Sequence, residues 1–374
     1  SAQLGGGIGY SESQSFILNG SYTDVNFLGT GERVGLEINA GSYSSVYSFT
    51  HTNPYITVDG VSRTLRLSHT DVSRLTSTYS EFSTQTWLAG VEIGYPVTER
   101  QTVHFGASVQ HAELATSLYS SEQLQDWMRE HGDTFFRNVG GDFILGTRAD
   151  IVELSAGWSF ENRNRVLFPT AGSAHRFFVT STIPGSPLEY GTVSYQYEQY
   201  FTLPYFEILK SLPLRLHARL SHAFPFGDTK AVPPNRHFFV GGPDSVRGFR
   251  DHTLGPRDSI GNPYGGDTAV FGQVEAILPI PEKFTSSARL ALFFDFGQAF
   301  YLGDTRFTNK AGFSADHDFD LRELRTSAGI SVQWLSPMGL FRFSYAFPLR
   351  YRRETAREYG DDLERFQFSI GTAF

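Results

Sequence analysis

The feature that most limits what this chain can fold into is an alternation of apolar and polar residues, with a period of two, that recurs from end to end. In "RFQFSIGTAF", Phe366, Phe368, Ile370, Thr372 and Phe374 share one face, while Gln367, Ser369, Gly371 and Ala373 share the other. Successive side chains of a strand point to opposite faces, so this period marks a strand. The preceding segment repeats it, with Phe341, Phe343, Tyr345 and Phe347 opposing Arg342, Ser344 and Ala346. Further back, Ala328, Ile330, Val332 and Trp334 oppose Ser327, Gly329, Ser331 and Gln333, and the leucines of "LRLHARLSHAF" oppose Arg215, His217 and Arg219. About sixteen such segments follow one another, an even number of the kind that closes an antiparallel transmembrane barrel. A soluble sandwich also alternates, but segments this long and this numerous are unusual for one.

Connection lengths test the same idea independently. Barrels of the bacterial outer membrane have short periplasmic turns and long outer loops. Long connections fall near 116–141, 225–266, 301–322 and 350–362, with short, proline-bearing ones between them at "PVTERQ", "PYFEILKSLP", "PIPEKFTS" and "SPMG". Parity then puts both termini on the short-turn, periplasmic side. No linker or composition shift divides residues 1–374, so one domain is expected. A closed barrel is also what hydrocarbon demands, because an open sheet there leaves backbone groups unsatisfied at a cost of several kcal/mol each. The mean hydropathy of -0.25 is no objection. Half of every barrel strand faces a wet interior. Tyr95, Trp158, Phe160, Trp334, Phe347 and Phe374 suit interfacial girdles. No apolar run reaches helix-spanning length. Ser1–Tyr10 lacks the charged and apolar regions of a secretory leader, which is expected to be already removed.

Several functions are excluded or weakened early. The formal net charge is -8, so no basic surface offers itself to nucleic acid. Cysteine is absent, which removes disulfide frameworks and thiolate metal sites. There is no Walker loop, and "GGGIG" at 5–9 opens no helix, so nucleotide chemistry and cofactors are not expected. Asp316, His317, Asp318 and Asp320 could bind a cation, but a solvated loop is the plainer reading of "DHDFD". His51 and the many serines form no nucleophile motif, so an enzyme is not expected.

Two stretches carry more information. Val246, Arg247, Gly248 and Phe249 sit in the longest loop, which is too long for a passive turn. Parity places Glu275 and Asp295 on lumen-facing strand positions, with Gly297 on the same face as Asp295. If the loop folds inward, Arg247 can bond both carboxylates and pin the loop to the wall. On spacing alone, a solvated loop arginine is an equal reading. The first strand carries Gly5, Gly6, Gly7 and Gly9, each weakening it by roughly 0.5–1 kcal/mol. It must close against the last strand, at Ile370, Gly371 and Phe374. A weak seam can open sideways and offer an edge to an incoming strand; the alternative is that the glycines only relieve crowding.

"VRGF" in a long loop, a strand with "FFDFG", another ending "GLFRFSYAFPL", and "NFLGTGERVG", "TNPYITVDG", "FPTAGS" and "TIPGSP" together resemble the barrel of the BamA/TamA superfamily of outer-membrane protein assembly factors. The likeness runs through essentially the whole chain. It implies that the motif arginine, Arg247 here, contacts acidic lumen residues at Glu275 and Asp295. It further implies a Gram-negative outer-membrane location, unfolded outer-membrane proteins as clients, accessory assembly lipoproteins as partners, and insertion through a lateral seam. The family carries periplasmic polypeptide-transport-associated domains before its barrel. None is present here, so the chain reads as the barrel part, leaving lipoprotein docking open. A secretion or autotransporter-assembly barrel of the same superfamily and a simple porin are the alternatives.

Overall fold

In the computed structural model the alternating segments form strands because each can bury its polar face in a shared interior and leave its apolar face outside. Residues 2–11, 15–42, 44–72, 82–202, 212–337 and 339–371 are described. Sixteen strands make the wall: β1 (Ala2–Ser11), β2 (Ser15–Asp24), β3 (Arg33–Gly41), β4 (Ser44–Asn53), β5 (Ser62–Val72), β6 (Phe82–Thr98), β7 (Gln101–Ser117) and β8 (Asp142–Glu161). The second half is β9 (Gly172–Thr182), β10 (Tyr190–Phe201), β11 (Leu214–Pro225), β12 (Thr268–Leu278), β13 (Ala288–Phe300), β14 (Arg325–Ser336), β15 (Gly339–Arg350) and β16 (Phe366–Gly371). Each pairs antiparallel with its sequence neighbours, and β16 returns to β1 to close the barrel.

The distribution of burial is inverted relative to a soluble protein. Outward-facing Leu292, Phe294, Ile330, Trp334 and Phe347 are exposed, whereas inward-facing Glu275, Arg289, Asp295, Ser327 and Gln367 are buried. That is the arrangement a hydrocarbon solvent requires. The long connections all lie at one rim, between β7 and β8, β11 and β12, β13 and β14, and β15 and β16. The length asymmetry belongs to that half of the molecule. At the same rim, β3 and β4 end and begin only at Gly41 and Ser44.

One element departs from the all-β expectation. Within the 116–141 connection, α1 (Glu122–Glu130) precedes a short strand, Asp133–Val139, that pairs with the start of β8. Leu124, Trp127 and Met128 recur at helical spacing on one face and are buried against Leu114, Leu145, Tyr264, Tyr301 and Phe307. Trp127 Nε1 donates to the Ala231 carbonyl at 3.0 Å. The helix therefore ties three long connections into a dome over the lumen, whose apolar core rests on inward residues of β7 and β8.

Candidate functional site: the inward loop and the closing strands

The connection between β11 and β12 folds into the barrel because its apolar residues find cover there and its charge finds partners. Val246 and Phe249 are fully buried, together with Val240, Leu254, Phe271 and Ala299. Between them Arg247 Nε and Nη2 donate to Asp295 Oδ2 and Oδ1 at 2.7 and 2.8 Å, a fork on a single carboxylate. The Arg247 backbone N–H donates to Asp295 Oδ2 at 3.0 Å, and Nη1 donates to Glu275 Oε1 at 2.7 Å. The guanidinium also lies 3.6 Å from the Phe293 ring centroid, within cation–π range. Burial opposes the arginine's charge, but Asp295 and Glu275 outweigh it and hold Arg247 above its usual protonation range.

Two glycines let the loop approach the wall. Gly248 has φ +90°, and a Cβ there would lie 2.9 Å from Ala346 Cβ. At Gly297 a Cβ would fall 2.6 Å from Phe271 Cβ and 2.9 Å from Val246 Cγ2, so a larger residue would push the loop away. Gln367, on the inward face of β16, clips the same backbone: its Nε2 donates to the Phe249 carbonyl at 2.7 Å, and its Oε1 accepts from the Gly248 N–H at 3.3 Å. Gln273 Nε2 donates to the Ser245 carbonyl at 3.1 Å. Sequence reasoning did not assign these glutamines or Phe293 to the site. Alternation placed them on the lumen face, but an uncharged side chain carries no signal of its partner.

β1 pairs with β2 over its full length, but among the described residues a single register pair, Tyr10 with Ile370, joins it to β16. Leu4, Gly6, Ile8 and Tyr10 share the outward face with Leu18 and Phe16, so Gly5, Gly7 and Gly9 face inward. Among the described residues, a Cβ added at Gly6 or Gly9 would make ordinary contacts of 3.6 Å to the Asn19 carbonyl and 3.5 Å to the Ile370 carbonyl. At Gly5 it would meet only the rotatable Ser21 hydroxyl. Gly371 ends β16. Phe374 lies outside the described residues.

The remaining candidates are structural. Asp316 and Asp320 accept from the backbone N–H groups of Asp318 and Arg322, and the His317 ring packs on Phe307. Among the described residues no group of three or more His, Asp or Glu side chains is placed to hold a metal ion. His51 Nε2 pairs with Glu32 Oε2 at 3.0 Å.

A closed sixteen-stranded antiparallel barrel, apolar outside and holding an arginine-pinned loop inside, is a transmembrane β-barrel of the outer-membrane class. Residues 26–374 match the Omp85 superfamily domain, and the chain belongs to that superfamily. It is similar to the outer membrane protein assembly factor BamA of Neisseria meningitidis, with 30% identity over 385 residues covering 98% of this chain and 46% of the relative. The corresponding factor of Nitratidesulfovibrio vulgaris is 26% identical, covering 99% of this chain and 41% of the relative. The chain thus spans less than half the length of these relatives. Among solved structures, BamA from Haemophilus ducreyi lacking POTRA domains 1–3 superposes with a TM-score of 0.84 at 27% identity, covering 100% of this chain and 70% of that one.

Proposed function

We propose that this chain is the single barrel domain of an outer-membrane protein assembly factor, folding and inserting other β-barrels into the outer membrane. The observation that carries this reading is that assembly factors match the chain from end to end. The inward loop supports it, because a lumen filled by a pinned loop suits a folding scaffold better than an open pore. The seam supports it as well. β1 is rich in glycine and adjoins β16, so its residues 4–10 are the edge where a client strand pairs by β-augmentation. Folding of the client supplies the free energy, without nucleotide, cofactor or covalent chemistry. Both termini face the periplasm and the long loops face outward. The partners are unfolded outer-membrane proteins, outer-membrane lipids and accessory lipoproteins. The test is reconstitution into liposomes with a urea-unfolded barrel client. Faster client folding than in empty liposomes is expected; equal rates, or a steady porin-like conductance in planar bilayers, would overturn the reading.

A further inference from the structure

The carboxylate that receives Arg247 is shared. Glu275 gives Oε1 to Arg247 and Oε2 to Arg215, whose Nη1 lies 3.4 Å away. Arg215 in turn donates through Nε to Glu198 Oε1 at 2.8 Å, and the other oxygen of Glu198 accepts from Arg163 Nη1 at 3.0 Å. Arg163 ends the run on Glu161 at 2.6 Å. An unbroken ladder of alternating charge, Asp295–Arg247–Glu275–Arg215–Glu198–Arg163–Glu161, therefore leads from the pinned loop to the turn 162–171, which joins β8 to β9 at the opposite rim.

That turn is not a passive connection. It reaches under the lumen to β13, where Arg289 donates to the Pro169 carbonyl and lies 5.3 Å from the Phe168 ring centroid. Phe168 is buried although its φ is +50°, a backbone conformation that a bulky residue keeps only when its surroundings impose it. Arg289 also lies over the Tyr200 ring, and the Tyr200 hydroxyl donates to Glu198 Oε1 at 2.7 Å. Both routes from the turn meet at Glu198. The turn and Arg247 line one cavity of about 430 Å³ in the lumen.

We propose that Glu198 and Arg215 are positioning residues that couple the inward loop at one rim to the turn 162–171 at the other, so that releasing either loosens both. Each inner carboxylate divides its two oxygens between two arginines. When one arginine leaves, the carboxylate swings to the other and weakens that arginine's hold on its own far partner. The shared element is biased from both ends, which is what coupling between distant sites requires. The inward loop and the turn loosen together, opening the cavity they both line. The role of that opening in client insertion rests on the function proposed above; the coupling itself is a property of the barrel.

Hydrogen exchange read by mass spectrometry, on the whole chain in lipid nanodiscs without client, separates the two. Glu198→Gln is expected to speed exchange in peptide 243–250, which Glu198 does not touch, and Arg247→Ala to speed it in 162–171, each by roughly 5- to 150-fold. The double variant should add little to the larger single effect. Arg215→Lys, which keeps a cation between the two carboxylates, should retain the wild-type pattern, while Arg215→Met should reproduce the loss; a side chain acting only by packing would not distinguish them. Should Glu198→Gln not fold, Arg163→Gln at the rim end of the ladder reads the same loop. Faster exchange confined in each variant to the segment its own side chain touches overturns the coupling, whatever the insertion assay gives.

Discussion

Arg247 illustrates how much one side chain can decide in a lumen. It is buried with two carboxylates, and while Glu275 keeps Arg215, removing Arg247 leaves the buried Asp295 charge uncompensated, a loss of about 3–5 kcal/mol. Arg247→Ala is expected to free the loop to protease and to slow client insertion strongly; a loop as resistant as wild type would show that the other contacts hold it alone. Arg247→Lys should rescue poorly, because a point charge cannot reproduce the fork on Asp295 together with the bond to Glu275. His317 predicts a different behaviour. Burial first, and then Arg352 nearby, push its pKa down to about 4 in the closed long loops, against the raising influence of Asp316, Glu323 and Glu358. The opened loop, where the histidine titrates near its ordinary 6.5, takes up a proton first as pH falls. The closed state is therefore fully stable above about pH 6.5 and weakens between there and pH 4, by at most about 1.4 kcal/mol per pH unit. Protection factors in 301–322, corrected for the intrinsic pH dependence of amide exchange, should fall across that window and His317→Gln should flatten the fall; a profile unchanged by the substitution would remove His317 as the cause.

Among the elements, β1 is the one whose local preference conflicts with its position. A strand that closes a barrel should hold firmly, yet this one carries Gly6 and Gly9, where no described neighbour crowds an added Cβ. The Tyr10–Ile370 register makes the conflict testable, since opposed Cβ atoms in an antiparallel pair approach to about 4.5–5.5 Å. The chain has no cysteine, so a Tyr10→Cys, Ile370→Cys variant can form only the intended disulfide. Oxidation is expected to cross-link the seam and halt client insertion, and reduction to restore it. Full insertion activity in a quantitatively cross-linked barrel would sink the lateral-gate mechanism and leave the fold untouched. The α1 dome is the counterpart at the long-loop rim, where three connections gain order by sharing one apolar core.

At the scale of the molecule, orientation follows from asymmetry between the rims. The long connections, the dome and the inward loop all start from one rim, while β6 and β7, and β14 and β15, are joined by short turns at the other. Cys introduced at the exposed Ile260 or Phe313 should react with a membrane-impermeant reagent on intact cells, and one placed at Pro337 should not. The reverse labelling would turn the barrel over and put the turn 162–171 outside. The ladder matters at this scale as well, because it runs from the centre of the lumen to that turn.

What the sequence determined by itself is whatever alternation and composition can express. Period two dictated strands, their number dictated a closed barrel, and parity put Glu275, Asp295 and Gly297 on the inward face, because side-chain direction in a strand is a local property. α1 was legible too, in the spacing of Leu124, Trp127 and Met128 behind Ser121, but a short helix inside a long loop is masked by the strands around it. Which groups meet was decided only by the tertiary structure. The choice of Asp295 for the fork, the clip by Gln367, the hold of Arg289 on the turn and the register of Tyr10 against Ile370 join residues far apart in the chain. Their distances depend on how sixteen tilted strands close, and no local pattern encodes that closure.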